Sequence, residues 1–158
     1  MFSCGIGYDV HRLVEGRPLI LGGVKIEHPL GLDGHSDADV LCHAIADAIL
    51  GAAGEPDIGY YFPNTDESIR GIDSVEILRR VREIVVGKGS ELLNVDSTLV
   101  SEAPKIAPHI AAMKERIATA LELPVTRVGI KATTNETMGF LGRQEGIAAM
   151  AVATLNRA

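Results

Sequence analysis

The chain of 158 residues has only two cysteines, Cys4 and Cys42, too few for a disulfide framework. Its first residues lack the basic and apolar regions of a secretory leader, so a reducing, cytoplasmic setting is expected. No apolar run approaches the ~20 residues that span a bilayer. The longest, around Val40 to Ala53, is interrupted by His43 and Asp47. An excess of positive charge is missing too. The formal net charge of −6 argues against bulk attraction to nucleic acid or to a membrane surface, so a phosphorylated ligand would need local cationic groups or bound metals. Repeats, low-complexity tracts and interdomain linkers are absent. With 46% hydrophobic residues the chain can bury one sizeable core, and a single domain over residues 1–158 is expected.

Three helices can be read from the periodicity. The first is predicted to start at Ser36, with Asp39 as the acidic member of a capping box. Its apolar residues Leu41, Ala44, Ile45, Ala48 and Ala52 form one stripe, while Asp39, His43 and Asp47 form another on the opposite side. The second begins at Asp73 and runs through Ile77, Leu78, Val81, Ile84 and Val85 to a stop at Gly87 and Gly89. The third follows Pro108, carries Ile110, Met113, Ile117 and Leu121, and ends before Pro124. Strands are expected over residues 2–10, 18–26, 94–100 and 125–132. Residues 146–155 are apolar on both faces, which suits a buried central strand. The connection over residues 54–72 is long enough to be functional.

Asp9 and His11 alternate with Val10 on a strand, so their side chains share a face roughly 6–7 Å apart. An Asp-x-His pair alone is more often a hydrogen-bonded strand feature than a metal site. His43, with an acidic residue one helical turn away on either side, shifts that balance, because carboxylates commonly orient a ligand imidazole. One carboxylate and two imidazoles form a donor set that zinc accepts, leaving a fourth position open. Cys42 points about 100° away from His43 on the helix, and Cys4 has the opposite strand parity to Asp9, so neither thiol closes the site. A metal on the polar side of the helix would sit at a rim or against another subunit. His35, placed at a helix N-terminus, could stabilise a phosphoryl oxygen, while Ser36 reads first as a cap.

Residues elsewhere carry weaker signals. Lys131-Ala132-Thr133-Thr134-Asn135-Glu136 closes a strand with hydroxyls and a carboxylate suited to a hard cation. Ser101-Glu102-Ala103-Pro104-Lys105-Ile106-Ala107 reads as a loop-to-helix joint whose main chain could read a base edge. Phe140, Gly142 and Arg143 suggest a turn with an anion-binding arginine.

Gly7-Tyr8-Asp9-Val10-His11, Gly34-His35-Ser36-Asp37-Ala38-Asp39, Asp57-Ile58-Gly59, Phe62-Pro63, Ala103-Pro104-Lys105, Lys131-Ala132-Thr133-Thr134 and Gly142-Arg143-Gln144-Glu145-Gly146-Ile147-Ala148 follow one another in order. Together they span nearly the whole chain, and the sequence resembles the 2-C-methyl-D-erythritol 2,4-cyclodiphosphate synthase family. The resemblance implies an α/β (α+β) fold, a mixed sheet packed by helices, in a homotrimer with active sites between neighbours. It implies a lyase of non-mevalonate isoprenoid biosynthesis. That activity converts 4-diphosphocytidyl-2-C-methyl-D-erythritol 2-phosphate to the cyclic diphosphate and releases CMP by intramolecular phosphoryl transfer.

Carried over by position, Asp9, His11 and His43 resemble the zinc ligands and Glu136 the ligand of magnesium or manganese. His35 and Thr134 resemble the groups that stabilise the transition state. The resemblance places the substrate against Asp9, His11, His35, Ser36, Asp57, Ile58, Gly59, Phe62, Pro63, Asn64, Thr65 and Asp66. It places the cytidine against Ser101, Glu102, Ala103, Pro104, Lys105, Ile106, Ala107 and Thr133 of the adjacent subunit, with Thr134, Asn135 and Glu136 nearby. Phe140 and Arg143 would face a central cavity, for which an isoprenoid diphosphate is a candidate ligand.

Two positions depart from the family pattern. Asn64 stands where an acidic residue is usual, and Met150 where some members carry a glutamate lining the cavity. Two other functions remain to be separated from cyclisation. One is a zinc-dependent nucleotide hydrolase, and the other a non-catalytic trimer that stores or senses an isoprenoid diphosphate.

Overall fold

Alternation of small and large side chains carries the first strand further than expected, so that β1 runs Phe2–Val14 and takes in His11 as well as Asp9. The computed structural model describes residues 1–157, and the expectation for Ala158 lies outside them. The expected strand over residues 18–26 is instead a hairpin, β2 Leu19–Leu21 and β3 Val24–Ile26. Gly22 and Gly23 turn it, both at positive φ, which the two-residue loop requires. After the short β4 at Gly31–Leu32 come α1, Val40–Ala53, and a single helical turn, α2, at Ile58–Tyr61. The order continues α3 Ser74–Gly87, β5 Ser90–Val100, α4 Ile110–Leu121, β6 Val128–Thr133, α5 Gly139–Gly142 and β7 Gly146–Arg157.

Five strands form one mixed sheet in the order β4-β1-β7-β5-β6. β7 is central, as its two-sided apolarity predicts, but it is buried on one face only, with Met150 and Val152 exposed on the other; it is antiparallel to both β1 and β5, whereas β5 and β6 are parallel. The strand expected over residues 125–132 starts later: Val125–Arg127 form a 3-10 turn, and pairing begins at Val128. The helices cover one face of the sheet. Leu41, Ile45, Ile49, Leu78, Met113 and Ile117 are fully enclosed there, and each such side chain contributes roughly 1.5–3 kcal/mol of hydrophobic burial.

α1 rests directly on β1. A Cβ added at Gly5 would lie 2.1 Å from the Ala48 carbonyl oxygen, and one at Gly7 would lie 1.9 Å from that of Ala44. The two glycines therefore admit the helix backbone onto the strand itself, two and four positions before Asp9.

The N-cap of α1 is Asp39 rather than Ser36. Its carboxylate accepts hydrogen bonds from the Cys42 amide at 3.1 Å and from the Gly22 and Gly23 amides at 2.9 and 2.7 Å, joining the helix start to the hairpin turn. Burial pushes its pKa up and the neighbouring Asp37 charge adds to that, against the three amides. Asp39 is completely buried, so the expected polar stripe is not a solvated face, and α1 is enclosed almost all round.

On the other face, among the described residues, only the short α5 packs at one end, where Leu141 is buried against Val100 and Ala148. Ile6, Tyr8 and Val10 of β1 project from this face beside their register partners Val152, Met150 and Ala148 of β7. Tyr8 remains 54% exposed and Met150 and Val152 46% each, so a contiguous apolar surface is left open across the two central strands.

Candidate metal centre and substrate cleft

Asp9 and His11 project from the helix-covered face of β1, and His43 descends on them from the first turn of α1. Asp9 Oδ2 lies 2.9 Å from His11 Nε2 and 3.0 Å from His43 Nδ1, and the two imidazole nitrogens are 3.2 Å apart. One ligand atom from each residue falls within 4.8 Å of the others. The sequence parity argument and the single helical histidine thus converge on one point.

The outer nitrogens decide what the inner ones can do. His11 Nδ1 is 2.6 Å from the Asp33 carbonyl oxygen, an acceptor that requires a proton on that nitrogen. His43 Nε2 is 2.9 Å from Ser74 Oγ, and Ser74 Oγ donates to Asp37 Oδ1 at 2.5 Å, so the hydroxyl oxygen receives the imidazole N–H. With both outer nitrogens protonated, the neutral rings turn lone pairs toward each other and toward a carboxylate. Three electron-rich atoms at 2.9–3.2 Å repel unless a cation or proton lies among them. The donor set fits a divalent metal of the zinc type, with a carboxylate and two imidazoles supplied and room for an exogenous ligand.

The titration of these groups follows the same geometry. Burial raises the Asp9 carboxyl, but hydrogen bonds and charge from His11 and His43 outweigh it and hold the group well below the usual carboxylate range. Burial lowers His11, yet the hydrogen bond and charge of Asp9, with the Asp33 carbonyl, raise it above 6.5.

The triad lines a cleft of about 270 Å³. His35, Ser36, Asp57, Ile58, Gly59, Phe62 and Asn64 line it, as do Gly34, Asp47, Ile69, Ile72 and Ile77, which the sequence did not single out as cleft residues. Arg17 holds the loop at the cleft edge by donating to the carbonyls of Gly34 and Ser36, both at 2.9 Å. Asp47 accepts from the Ile58 amide at 2.8 Å and so anchors α2, which Asp57 caps. His35 lies in the loop before α1 rather than at the helix N-terminus, and its Nε2 donates to the Asp66 carbonyl at 3.3 Å. Three carboxylates, Asp9, Asp47 and Asp57, face the cleft, and among the described residues lining it there is no lysine or arginine. A phosphorylated ligand here needs a cation to offset that charge.

A second group of expected residues lies apart from this cleft, at the ends of the parallel pair β5 and β6. Glu102 Oε1 accepts from the Asn135 amide at 2.7 Å and the Thr137 amide at 3.3 Å, Ser101 Oγ donates to the Ala103 carbonyl, and the Ser101 amide binds the Thr133 carbonyl. Thr134 Oγ1 lies 3.4 Å from Glu136 Oε1, and Glu136 and Thr137 both take positive φ, which turns the chain sharply after β6. None of residues 101–107 or 133–136 lines the triad cleft within one chain. Phe140 and Arg143 sit on and after α5, where Arg143 pairs with Glu145 at 2.7 Å, and Phe140 borders a smaller cavity with Val10, His11 and Arg12. Pro63, Thr65 and Asp66 belong to the loop behind Asn64 but do not line the cleft.

The groups supporting His43 were misjudged at the sequence level. Asp39 and Asp47 flank it by one turn, yet the hydroxyls of Ser74 and Ser36 meet its outer nitrogen, and Asp37 acts on it only through Ser74. Asp37 could have been suspected from its place in the His35-Ser36-Asp37 run. Ser74, 31 positions away at the start of another helix, carries no local signal.

Comparison with known proteins gives the family. A model described as the YgbB family matches residues 2–156. A protein of Synechococcus elongatus named 2-C-methyl-D-erythritol 2,4-cyclodiphosphate synthase is 59% identical over 156 residues, covering 99% of this chain and 98% of its own. A solved structure of 2C-methyl-D-erythritol-2,4-cyclodiphosphate synthase described as the CDP-bound form superposes with a TM-score of 0.89 at 38% identity, over 97% of this chain and 99% of the other. The bifunctional IspDF of Campylobacter jejuni superposes with a TM-score of 0.95 at 42% identity over all of this chain, which spans 43% of that longer protein. The match runs over practically the entire sequence and fold, and the chain belongs to the YgbB family of 2-C-methyl-D-erythritol 2,4-cyclodiphosphate synthases.

Proposed function

We propose that this chain converts 4-diphosphocytidyl-2-C-methyl-D-erythritol 2-phosphate to 2-C-methyl-D-erythritol 2,4-cyclodiphosphate, as a phosphorus–oxygen lyase of cytoplasmic isoprenoid biosynthesis. The observation that carries the reading is the convergence of Asp9, His11 and His43 at 2.9–3.2 Å with both outer imidazole nitrogens committed, in an otherwise acidic cleft. In the reaction an oxygen of the substrate's 2-phosphate forms a bond to the phosphorus nearer the methylerythritol. The bond from that phosphorus to the bridging oxygen breaks, and CMP leaves with the electron pair.

The attacking phosphate is already anionic at neutral pH, so the residues have to align and neutralise rather than deprotonate. Asp9, His11 and His43 would hold zinc, and Glu136 magnesium or manganese. Bound there, such ions supply Lewis-acid polarisation and offset the charge gathering on the phosphoryl oxygens. His35 and Thr134 would donate hydrogen bonds to those oxygens in the transition state. Ile58, Gly59, Phe62 and Asn64 shape the pocket for the methylerythritol, with Ser36 at the phosphate, and Asn64 contributes a hydrogen bond where a charge is usual. Holding nucleophile and electrophile in one folded substrate removes up to roughly 7–11 kcal/mol of the barrier in well-aligned cases.

Residues 101–107 and 133–136 lie apart from the triad within one chain, and the face bearing Tyr8, Met150 and Val152 is uncovered. Both features support a homotrimer in which the uncovered faces meet and each cleft is completed by a neighbour's cytidine-binding residues. The cavity so formed, bordered by Phe140 and Arg143, would suit an isoprenoid diphosphate.

Phosphorus NMR of the chain with this substrate in oxygen-18 water tests the reading. Release of CMP with a cyclic diphosphate free of solvent oxygen is the expected result. Incorporation of solvent oxygen into a linear product would make the protein a hydrolase instead.

A further inference from the structure

His43 Nε2 has two hydroxyls within reach, Ser74 Oγ at 2.9 Å and Ser36 Oγ at 3.1 Å. Their surroundings differ sharply. Ser74 is completely buried at the first position of α3, its Oγ donates to Asp37 Oδ1 at 2.5 Å, and its amide donates to Asp37 Oδ2 at 3.0 Å. Both donors of Ser74 are therefore spent on one carboxylate, and its remaining polar function at that spot is to accept the His43 N–H. Ser36 lines the cleft, and its oxygen accepts the Ala38 amide at 3.0 Å, which leaves its hydroxyl proton available to a ligand.

Asp37 is itself well anchored. Its amide donates to the Ile72 carbonyl at 3.2 Å and its Oδ1 accepts the Asp39 amide at 3.1 Å, while the Gly71 amide donates to the His35 carbonyl at 2.9 Å. The loop carrying His35 and Ser36 and the loop leading into α3 are thus joined at the point where they grip His43. We propose that Ser74, oriented by Asp37, is the positioning residue of the metal centre. It holds His43 in the tautomer that turns the Nδ1 lone pair toward Asp9, and it frees Ser36 to serve the phosphorylated ligand. This inference rests on the reading that Asp9, His11 and His43 hold a divalent cation.

The test uses the full chain, zinc competed against a chromogenic chelator, and cobalt(II) absorption as a report on ligand geometry. Loss of a supporting group of this kind weakens metal affinity by about 10- to 100-fold. Ser74→Ala is expected to raise the zinc dissociation constant by that factor and to alter the cobalt spectrum, with unchanged far-ultraviolet dichroism. Ser74→Thr, which keeps the hydroxyl, should restore both. Ser36→Ala should leave zinc affinity within about two-fold of the parent and raise KM instead. Asp37→Asn, with Ser74 in place, should weaken zinc binding in the same direction, and it carries the test if Ser74→Ala does not fold. Zinc binding by Ser74→Ala equal to that of a zinc-binding parent, or a loss in Ser36→Ala as large as in Ser74→Ala, would overturn the assignment. A parent chain that binds no zinc would overturn the underlying metal reading as well.

Discussion

Asp9 Oδ2 and His43 Nδ1 are 3.0 Å apart although 34 positions separate them in the chain and one belongs to a strand, the other to a helix. Their meeting depends on how closely α1 lies on β1, and on the two outer contacts that orient the rings of His11 and His43.

Removing either imidazole should therefore remove the metal and the chemistry together. His11→Ala or His43→Ala is expected to lower zinc content of the purified protein from near one per chain to near zero. CMP release should fall by at least about 100-fold, as expected when a principal source of charge stabilisation is lost. Metal analysis and turnover measured on the same preparation check this, and parental turnover with an empty site would contradict it.

The pH response should depend on metal. In the metal-free chain His11 is raised above 6.5 in the fold, because Asp9 and the Asp33 carbonyl outweigh its burial. Its contribution to stability is complete below that pH and is lost as pH rises through the raised value. Asp9 is depressed below 3.8, since its bonds to His11 and His43 outweigh burial, and its contribution is present above that pH and lost on further acidification. The metal-free protein should thus melt higher at about pH 5.5 than at about pH 8 on account of this pair. Zinc requires His11 unprotonated, so the stabilisation that zinc adds should grow over the same interval. Melting curves with a chelator and with zinc at both pH values give the comparison.

Gly7→Ala should cost roughly 2–3 kcal/mol, at the upper end of what overpacking costs, because the new methyl meets the Ala44 carbonyl rather than a side chain that could rotate away. Zinc affinity should fall with stability, since the helix that moves carries His43. Denaturant unfolding and metal titration on one preparation would show the two losses together.

A charge on the uncovered sheet face should separate assembly from metal binding. Met150→Asp, opposite Tyr8 in the β1–β7 register, is expected to yield a monomer by sedimentation that still binds zinc but has lost nearly all turnover. A trimeric, active Met150→Asp protein would contradict the interface assigned to this face.

Period-2 alternation sufficed to place Asp9 and His11 on one side of β1, and helical spacing sufficed for α3, α4 and the approach of His43. The central position of β7 followed from its lack of a polar face. Sequence pattern failed where a distant contact chose between local options. Ser36 and Asp39 are both competent caps, and the choice falls to Asp39 because the Gly22 and Gly23 amides reach it from the hairpin. The Gly-Gly pair between Leu21 and Val24 is a two-residue turn signal that the single strand expected over residues 18–26 passes over. The Ser74–Asp37 support of His43 was not readable, because a buried serine at the start of a helix looks like any other helix-starting serine. Residues 101–107 and 133–136 were legible as a group only through family resemblance, since nothing within one chain brings them to the triad.

Gly5 and Gly7 set the distance from strand to helix by main chain against main chain, with no side chain acting as a spacer between them. The separation of strand and helix beneath the triad is therefore fixed by contacts that have no rotamer to change, and a methyl added at either glycine displaces the helix that carries His43.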